Sequence, residues 1–313
     1  MKEKYRHLCN AENTIPIFSR DWWLDTVCGE DKWDVLLVED KGRVLAAMPV
    51  YIPLPGVISM PDYTQTMGPW FAPEAEDTKY TTVLGHRQML CKAFTDELKK
   101  NPVFLQNFNY QITDWLPFYW AGFKQTTRYT YLLEDIGNKE IIREGMSVHT
   151  RRNINKAKEK HQVMVRKGIP ADDFLAILDK TFQRQRKKNY QSSKTLKRLI
   201  DVCRQRGQGD LWGGYDASGN LHAAVFIVWQ ESSAYYLAGG GDPAYRDSGA
   251  HSLVLWEAMQ YVSDKSKVFD FEGSMIPGVE RFFREFGAIQ KPFFTITKGK
   301  LSLLDRVRLK MKH

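Results

Sequence analysis

The segment VFDFEGSMIPGVERFFREFGAIQKPFFTI, from Val268 to Ile296, holds the residues whose types and spacing best suit chemistry. Asp270 and Glu272 alternate along an expected strand and so share one face at its C-terminal end, where an open sheet presents a site. A carboxylate there, Glu272 before Asp270, can take a proton from a nucleophile directly or through water; both can instead cap the next helix or pair with arginines. Arg284, in the helix opened by Pro277, can meet an anion or a developing oxyanion, or pair with Glu280 one turn earlier. Upstream, YYLAGGGDPAYRDSGAHSL carries a second pattern, a strand ending in glycines and a polar turn that opens a helix. Backbone amides at such a helix start suit phosphate, which makes Gly240, Gly241, Arg246, Gly249 and Ala250 candidate phosphate-binding residues. His251 reads as an ordinary first-turn helix residue.

These residues need elements to position them, and composition bounds those elements. The chain has 313 residues, 43% hydrophobic and 13% aromatic, enough for two cores and hence two domains. Its net charge of +8 is uneven: Ser147 to Gly168 holds seven Lys or Arg against one Glu, and a second dense set follows near residue 185. Such a field is either a solvated helix face or a surface that meets phosphate, of a nucleotide-type ligand or of RNA. The four cysteines form no C-x-x-C pair, and no Cys and His share metal-ligand spacing, so reduced buried thiols, no metal and a cytoplasmic location are expected. No signal peptide and no run of ~18 apolar residues is found.

One unit is used twice. Asp34 to Ile52 and Asp210 to Trp229 each read as two strands around a polar turn, and each second strand begins with an alanine pair, Ala46–Ala47 and Ala223–Ala224. Helical sequence precedes each, the first capped at Ser19 and the second running from Ala171 with Phe174, Leu175, Leu178 and Phe182 on one face. Each half closes on a helix with Phe four residues before Gly, Phe118 with Gly122 and Phe283 with Gly287, where the glycine lets the chain reverse into a last strand.

That order of elements, together with HTRRNINKA (His149 to Ala157), YYLAGGG, DFEGSM and ERFFREFGA, resembles the GNAT N-acyltransferase fold in two tandem copies, as in the Fem peptidoglycan aminoacyltransferases and the related CelD-like acyltransferases. The resemblance implies an α/β (α+β) protein of tandem GNAT-like domains, mixed sheets flanked by helices, divided as 1–137, 138–300 and a tail, 301–313. It implies a bacterial cytoplasmic transferase moving an acyl or aminoacyl group from a coenzyme A thioester (acyl-CoA) or an aminoacyl-tRNA to an amine of a cell-envelope or nucleotide-linked acceptor; an RNA-binding or non-catalytic protein is the alternative. Arg246, Gly249 and Ala250 then loosely match the GNAT pyrophosphate loop, and Ser233 to Ala238 with Val268 to Phe271 are the parallel strands that part around the donor. Tyr236 lies on the first of these strands and is a candidate substrate contact. The resemblance sets Arg151, Arg152 and Lys156 beside a cleft between the domains, on the phosphate or carboxylate of the acceptor, with Tyr63 and Trp70 as the opposite wall. Two features depart from the Fem pattern: Phe282–Phe283 stands where a Phe–Lys pair is expected, and Met67–Gly68–Pro69 where Arg–Gly–Pro is. In the tail, Leu303, Leu304, Val307 and Met311 share one side of a basic helix, which either packs or attaches weakly to an anionic membrane.

Overall fold

The computed structural model describes residues 1–184, 192–302 and 305; the apolar positions singled out in the tail lie outside these. Two compact units are present, Met1–Arg128 with 292–313, and Tyr129–Lys291.

Unit 1 begins with α1 (Lys2–Ala11) and α2 (Asp21–Cys28), followed by the hairpin β1 (Trp33–Asp40) and β2 (Arg43–Leu54) and by the short strands β3 (Val57–Ser59) and β4 (Trp70–Phe71). Then come α3 (Tyr80–Leu98), β5 (Val103–Asn107), α4 (Leu116–Trp120) and the first part of β6 (Lys124–Glu134). The β1–β2 ladder is antiparallel, and β3 pairs with β5 in parallel. Ser19 is not the cap of α2: it closes a preceding 3₁₀ turn, is buried, and its carbonyl accepts a 2.6 Å bond from the Tyr5 hydroxyl, so Arg20 occupies the cap position without a side-chain bond.

Unit 2 continues with α5 (Lys139–Gly145), α6 (Val148–Asn155), β7 (Met164–Lys167), α7 (Ala171–Arg184), α8 (Ser193–Gln205) and the hairpin β8 (Gly209–Tyr215) and β9 (Leu221–Trp229). After it come β10 (Ser233–Gly241), α9 (Ala250–Val262), β11 (Val268–Asp270), α10 (Pro277–Arg284) and β12 (Ile289–Lys298). Strands β7 to β10 form an antiparallel ladder, and β10 pairs with β11 in parallel. Every residue of β9 after Leu221 is buried, because helices cover the sheet; α7 and α9 both pack on β9.

The compact units do not follow the sequence copies, because the closing strand of each copy pairs away from it. Residues Leu132 to Glu134 of β6, which end the first copy, pair with β11 inside unit 2, and Thr295 to Lys298 of β12 pair with β5 inside unit 1. The two aromatic helix ends are alike: Gly122 and Gly287 both have φ of 85°, and Phe118 and Phe283 are both buried. At Gly287 the space is also closed, since a Cβ would stand 2.7 Å from the Gly145 carbonyl oxygen.

All four cysteines are buried and unpaired, and burial raises the Cys9 thiol to about 11. Among the described residues no helix is long and apolar enough to cross a membrane, and no three His, Cys, Asp or Glu group to hold a metal.

Candidate functional site

The sheet of unit 2 opens where β11 stops. Ser233, Ala234 and Tyr235 of β10 pair with Val268, Phe269 and Asp270, and β10 then runs on to Gly241 beside β9, with a register shift between Tyr236 and Ala238. Asp270 ends β11. Its buried Oδ1 accepts hydrogen bonds from the Thr130 hydroxyl and, at 2.7 Å, from the Glu272 amide. Two consecutive left-handed residues follow, Glu272 at φ 62° and Gly273 at φ 65°. A Cβ on Gly273 would lie 1.9 Å from the Tyr129 carbonyl oxygen, so only glycine fits. Strand alternation therefore stops at Asp270, and Glu272 reaches its place through a turn instead. A non-glycine residue in the left-handed region costs ~1–2 kcal/mol, and such outliers gather at functional positions.

Beside this opening lies a cavity of about 440 Å³, bounded by α6, β9, β10, the turn before α9, the first turn of α9, and α10. Tyr236 and His251 meet at its edge, the phenol oxygen 3.0 Å from Nε2. Phe282 packs against the His251 ring at 5.2 Å between centroids and Phe283 against Tyr236 at 5.8 Å. Burial, and then the charge of Glu272, push the Tyr236 hydroxyl well above its ordinary value. Glu272 is not part of the cavity wall. Its Oε1 is buried with no hydrogen-bond partner, and burial, reinforced by the Asp270 carboxylate, holds its pKa well above the carboxylate range.

At the other end, Gly249 stands at φ 79° as the cap residue of α9, whose first turn brings Ala250, His251 and Ser252 to the cavity. A Cβ at Gly249 would meet the Asn153 carbonyl oxygen at 2.3 Å, so close packing against α6 also demands glycine. Arg246 and Ala250 line the same end, as do Gly240 and Gly241, which have a packing role besides: a Cβ on Gly240 would lie 2.4 Å from Thr181 Oγ1 of α7, and the Gly241 amide donates to that oxygen at 3.0 Å.

All five candidate phosphate-binding residues and Tyr236 thus come together on one cavity. Other candidates do not reach it. Arg284 is exposed and paired with Glu280 at 2.9 Å, and Asp270 serves the turn. On α6, capped by Ser147 accepting from the Thr150 amide at 3.1 Å, the cavity face carries His149, Thr150 and Asn153; Arg151 donates to the Glu144 carbonyl at 3.1 Å, and neither Arg152 nor Lys156 lines the cavity. Tyr63 and Trp70 belong to unit 1, both buried, with the Trp70 indole N–H donating to Thr14 Oγ1 at 2.9 Å.

Three histidines were not expected at the site, His149 on α6, His222 and His251. His251 looked like an ordinary helix residue, and only its place next to Gly249 could have flagged it. His222 is buried, stacks on Tyr245 at 4.0 Å between ring centroids, and holds Asp216 Oδ2 at 3.2 Å from its Nε2. Asp216 sits at about 2, held down first by its bonds from the Asn220 side chain and amide. Nothing in the sequence spacing pointed to His222.

Residues 147–284 match the family described as "Acetyltransferase (GNAT) domain". A comparison with curated protein sequences found no match. Among solved structures, one described as FemX is 12% identical with a TM-score of 0.67, over 94% of this chain and 95% of that one. The C-terminal domain of a putative lysylphosphatidylglycerol synthetase from Agrobacterium fabrum is 10% identical with a TM-score of 0.60, over 99% and 98%. A tandem GNAT protein from the clavulanic acid biosynthesis pathway is 12% identical with a TM-score of 0.53, over 96% of each chain. Residues 147–284 thus carry a GNAT acetyltransferase domain by their family match, and the chain as a whole shares the fold of these tandem GNAT structures.

Proposed function

We propose that the protein is an N-acyltransferase that works in the cavity of unit 2, with an acyl-CoA as donor and an amine as acceptor. One observation carries this reading: the start of α9, with Gly249 and Arg246, opens on the same cavity as the Tyr236–His251 pair and the edge of β10 that β11 leaves free. The first end suits a pyrophosphate, through the positive end of the α9 dipole and one guanidinium. The second suits the reacting carbonyl.

Transfer needs a neutral amine, alignment and donors for the oxyanion. Alignment alone contributes ~7–11 kcal/mol. Glu272, with its raised pKa, takes the ammonium proton through an intervening water; the nitrogen attacks the acyl carbon, the C–N bond forms, and the second nitrogen proton leaves to solvent as the intermediate collapses. Amides of β10 along the open edge meet the oxyanion. As the bond to the leaving sulfur breaks, the Tyr236 hydroxyl supplies its proton and His251 restores it. The absence of a Fem-type lysine fits a thioester better than an aminoacyl ester, because buried Phe283 holds that position and Arg284 faces away.

Calorimetric titration with coenzyme A tests the reading. Binding is expected, and Arg246→Ala should weaken it about ten-fold, more so at low salt. No binding of coenzyme A, or co-purification of tRNA in its place, would overturn the donor assignment.

A further inference from the structure

Unit 2 holds a second cavity, of about 540 Å³, at the opposite end of α9. Tyr261 and Lys265 are at this end and His251 at the other, ten residues or ~15 Å along the helix. The wall combines the end of β7 (Lys167), the end of α8 (Arg204), the start of β8 (Asp210) and the end of β9 (Trp229). None of these residues lines the first cavity.

Three cations face this space against one carboxylate. Asp210 is buried and divides its oxygens between two of them, Oδ1 2.8 Å from Arg204 Nε and Oδ2 3.1 Å from Lys167 Nζ. Arg204 is fixed a second time by donating to the Ile169 carbonyl at 2.6 Å. Lys167 Nζ stands 4.6 Å from the Tyr261 ring centroid and Lys265 Nζ 4.8 Å from the same centroid. Among the described residues Lys265 pairs with no carboxylate. Two ammonium groups drawn to one ring repel each other, and Asp210 is already shared, so the pocket keeps an excess of positive charge. At the rim, Gly168 and Gly207 present no side chain, and the space beside each is open.

We infer that this pocket binds a phosphate-bearing small molecule, with the dianion between Lys167, Lys265 and Arg204 and the remainder of the ligand along the edges of Tyr261 and Trp229. A fixed guanidinium and two ammonium groups match a tetrahedral oxyanion with several acceptor oxygens. The site does not depend on the transfer reaction proposed for the first cavity.

The probe is inorganic phosphate at constant ionic strength, followed by the amide resonances of Gly168, Gly207 and Gly209 in the full chain. Saturable shifts are expected with a midpoint of about 1 mM. Lys265→Met replaces an exposed side chain and should weaken binding about ten-fold, as should Lys167→Met, while Arg246→Ala should leave these shifts unchanged. Glycerol 3-phosphate and vesicles of phosphatidylglycerol distinguish a free phosphorylated metabolite from a lipid headgroup: the inference requires the former to compete with phosphate. Shifts that do not saturate, that survive Lys265→Met, or that appear only around Arg246 overturn it.

Discussion

Replacing Glu272 by Gln should stabilise the protein at neutral pH while slowing it. The carboxyl is buried beside Asp270, and its Oε1 has no hydrogen-bond partner, so its folded pKa is raised. An acid with a raised folded pKa stabilises fully below its unfolded pKa, about 4.3, and that contribution is lost as the pH climbs towards the folded value. The cost is ~1.4 kcal/mol for each pH unit over which the folded state alone keeps the proton, at most about 3.7 kcal/mol by pH 7. Gln does not titrate, and it shares the left-handed backbone at φ 62°, so strain cancels in the comparison. Thermal unfolding of the two proteins from pH 4 to pH 8 should coincide at the acid end and separate steadily above it. With ~2–4 °C per kcal/mol for a unit of this size, the variant should melt up to roughly 15 °C higher at pH 7. In turnover the same variant should lose ~10²-fold, and the wild-type rate should rise with pH through the raised pKa. A melting difference that stays constant across this range would refute the burial argument. Full turnover by the variant would remove Glu272 from the chemistry.

Three further outcomes follow from the same geometry. Gly249→Val combines a forbidden φ of 79° with a Cβ 2.3 Å from the Asn153 carbonyl oxygen, so it should lower the melting temperature and also weaken coenzyme A binding, read by calorimetry. Tyr236→Phe removes the hydroxyl bonded to His251 and should cut kcat ~10²-fold with little change in KM; His251→Asn should do the same, which steady-state kinetics will show. Phe283→Lys, which restores the Fem-like cation, places an ammonium in a position 4% exposed among Tyr131, Tyr236 and Phe271, and urea unfolding should register a loss of ~3–5 kcal/mol.

The fold was legible because its signals are local and repeated. Alternation and turn chemistry marked the β1–β2 and β8–β9 hairpins, and the Phe and Gly spacing marked the ends of α4 and α10, since a left-handed glycine at a helix end is written in the residue itself. The pairing of the closing strands was not legible. β6 and β12 carry ordinary strand patterns, and nothing in such a pattern says which edge will accept it, so Leu132 to Glu134 and Thr295 to Lys298 could not be assigned to β11 and β5 before the registers were seen.

At the site, the sequence supplied residue types but not their directions. The pattern Arg246, Gly249, Ala250 came through intact because helix-start chemistry follows from position along the chain. Arg284 did not, because periodicity says which residues share a face of α10 but not which face the cavity takes; the phenylalanines took it. Glu272 is the more instructive case. Strand alternation put it beside Asp270, yet β11 ends at Asp270 because that carboxylate binds Thr130 and the Glu272 amide and turns the chain through two left-handed residues. The same early ending leaves β10 from Tyr236 onward without β11 beside it. Asp270 thereby both ends the strand that would flank this edge of β10 and, by its charge, helps raise the pKa of Glu272.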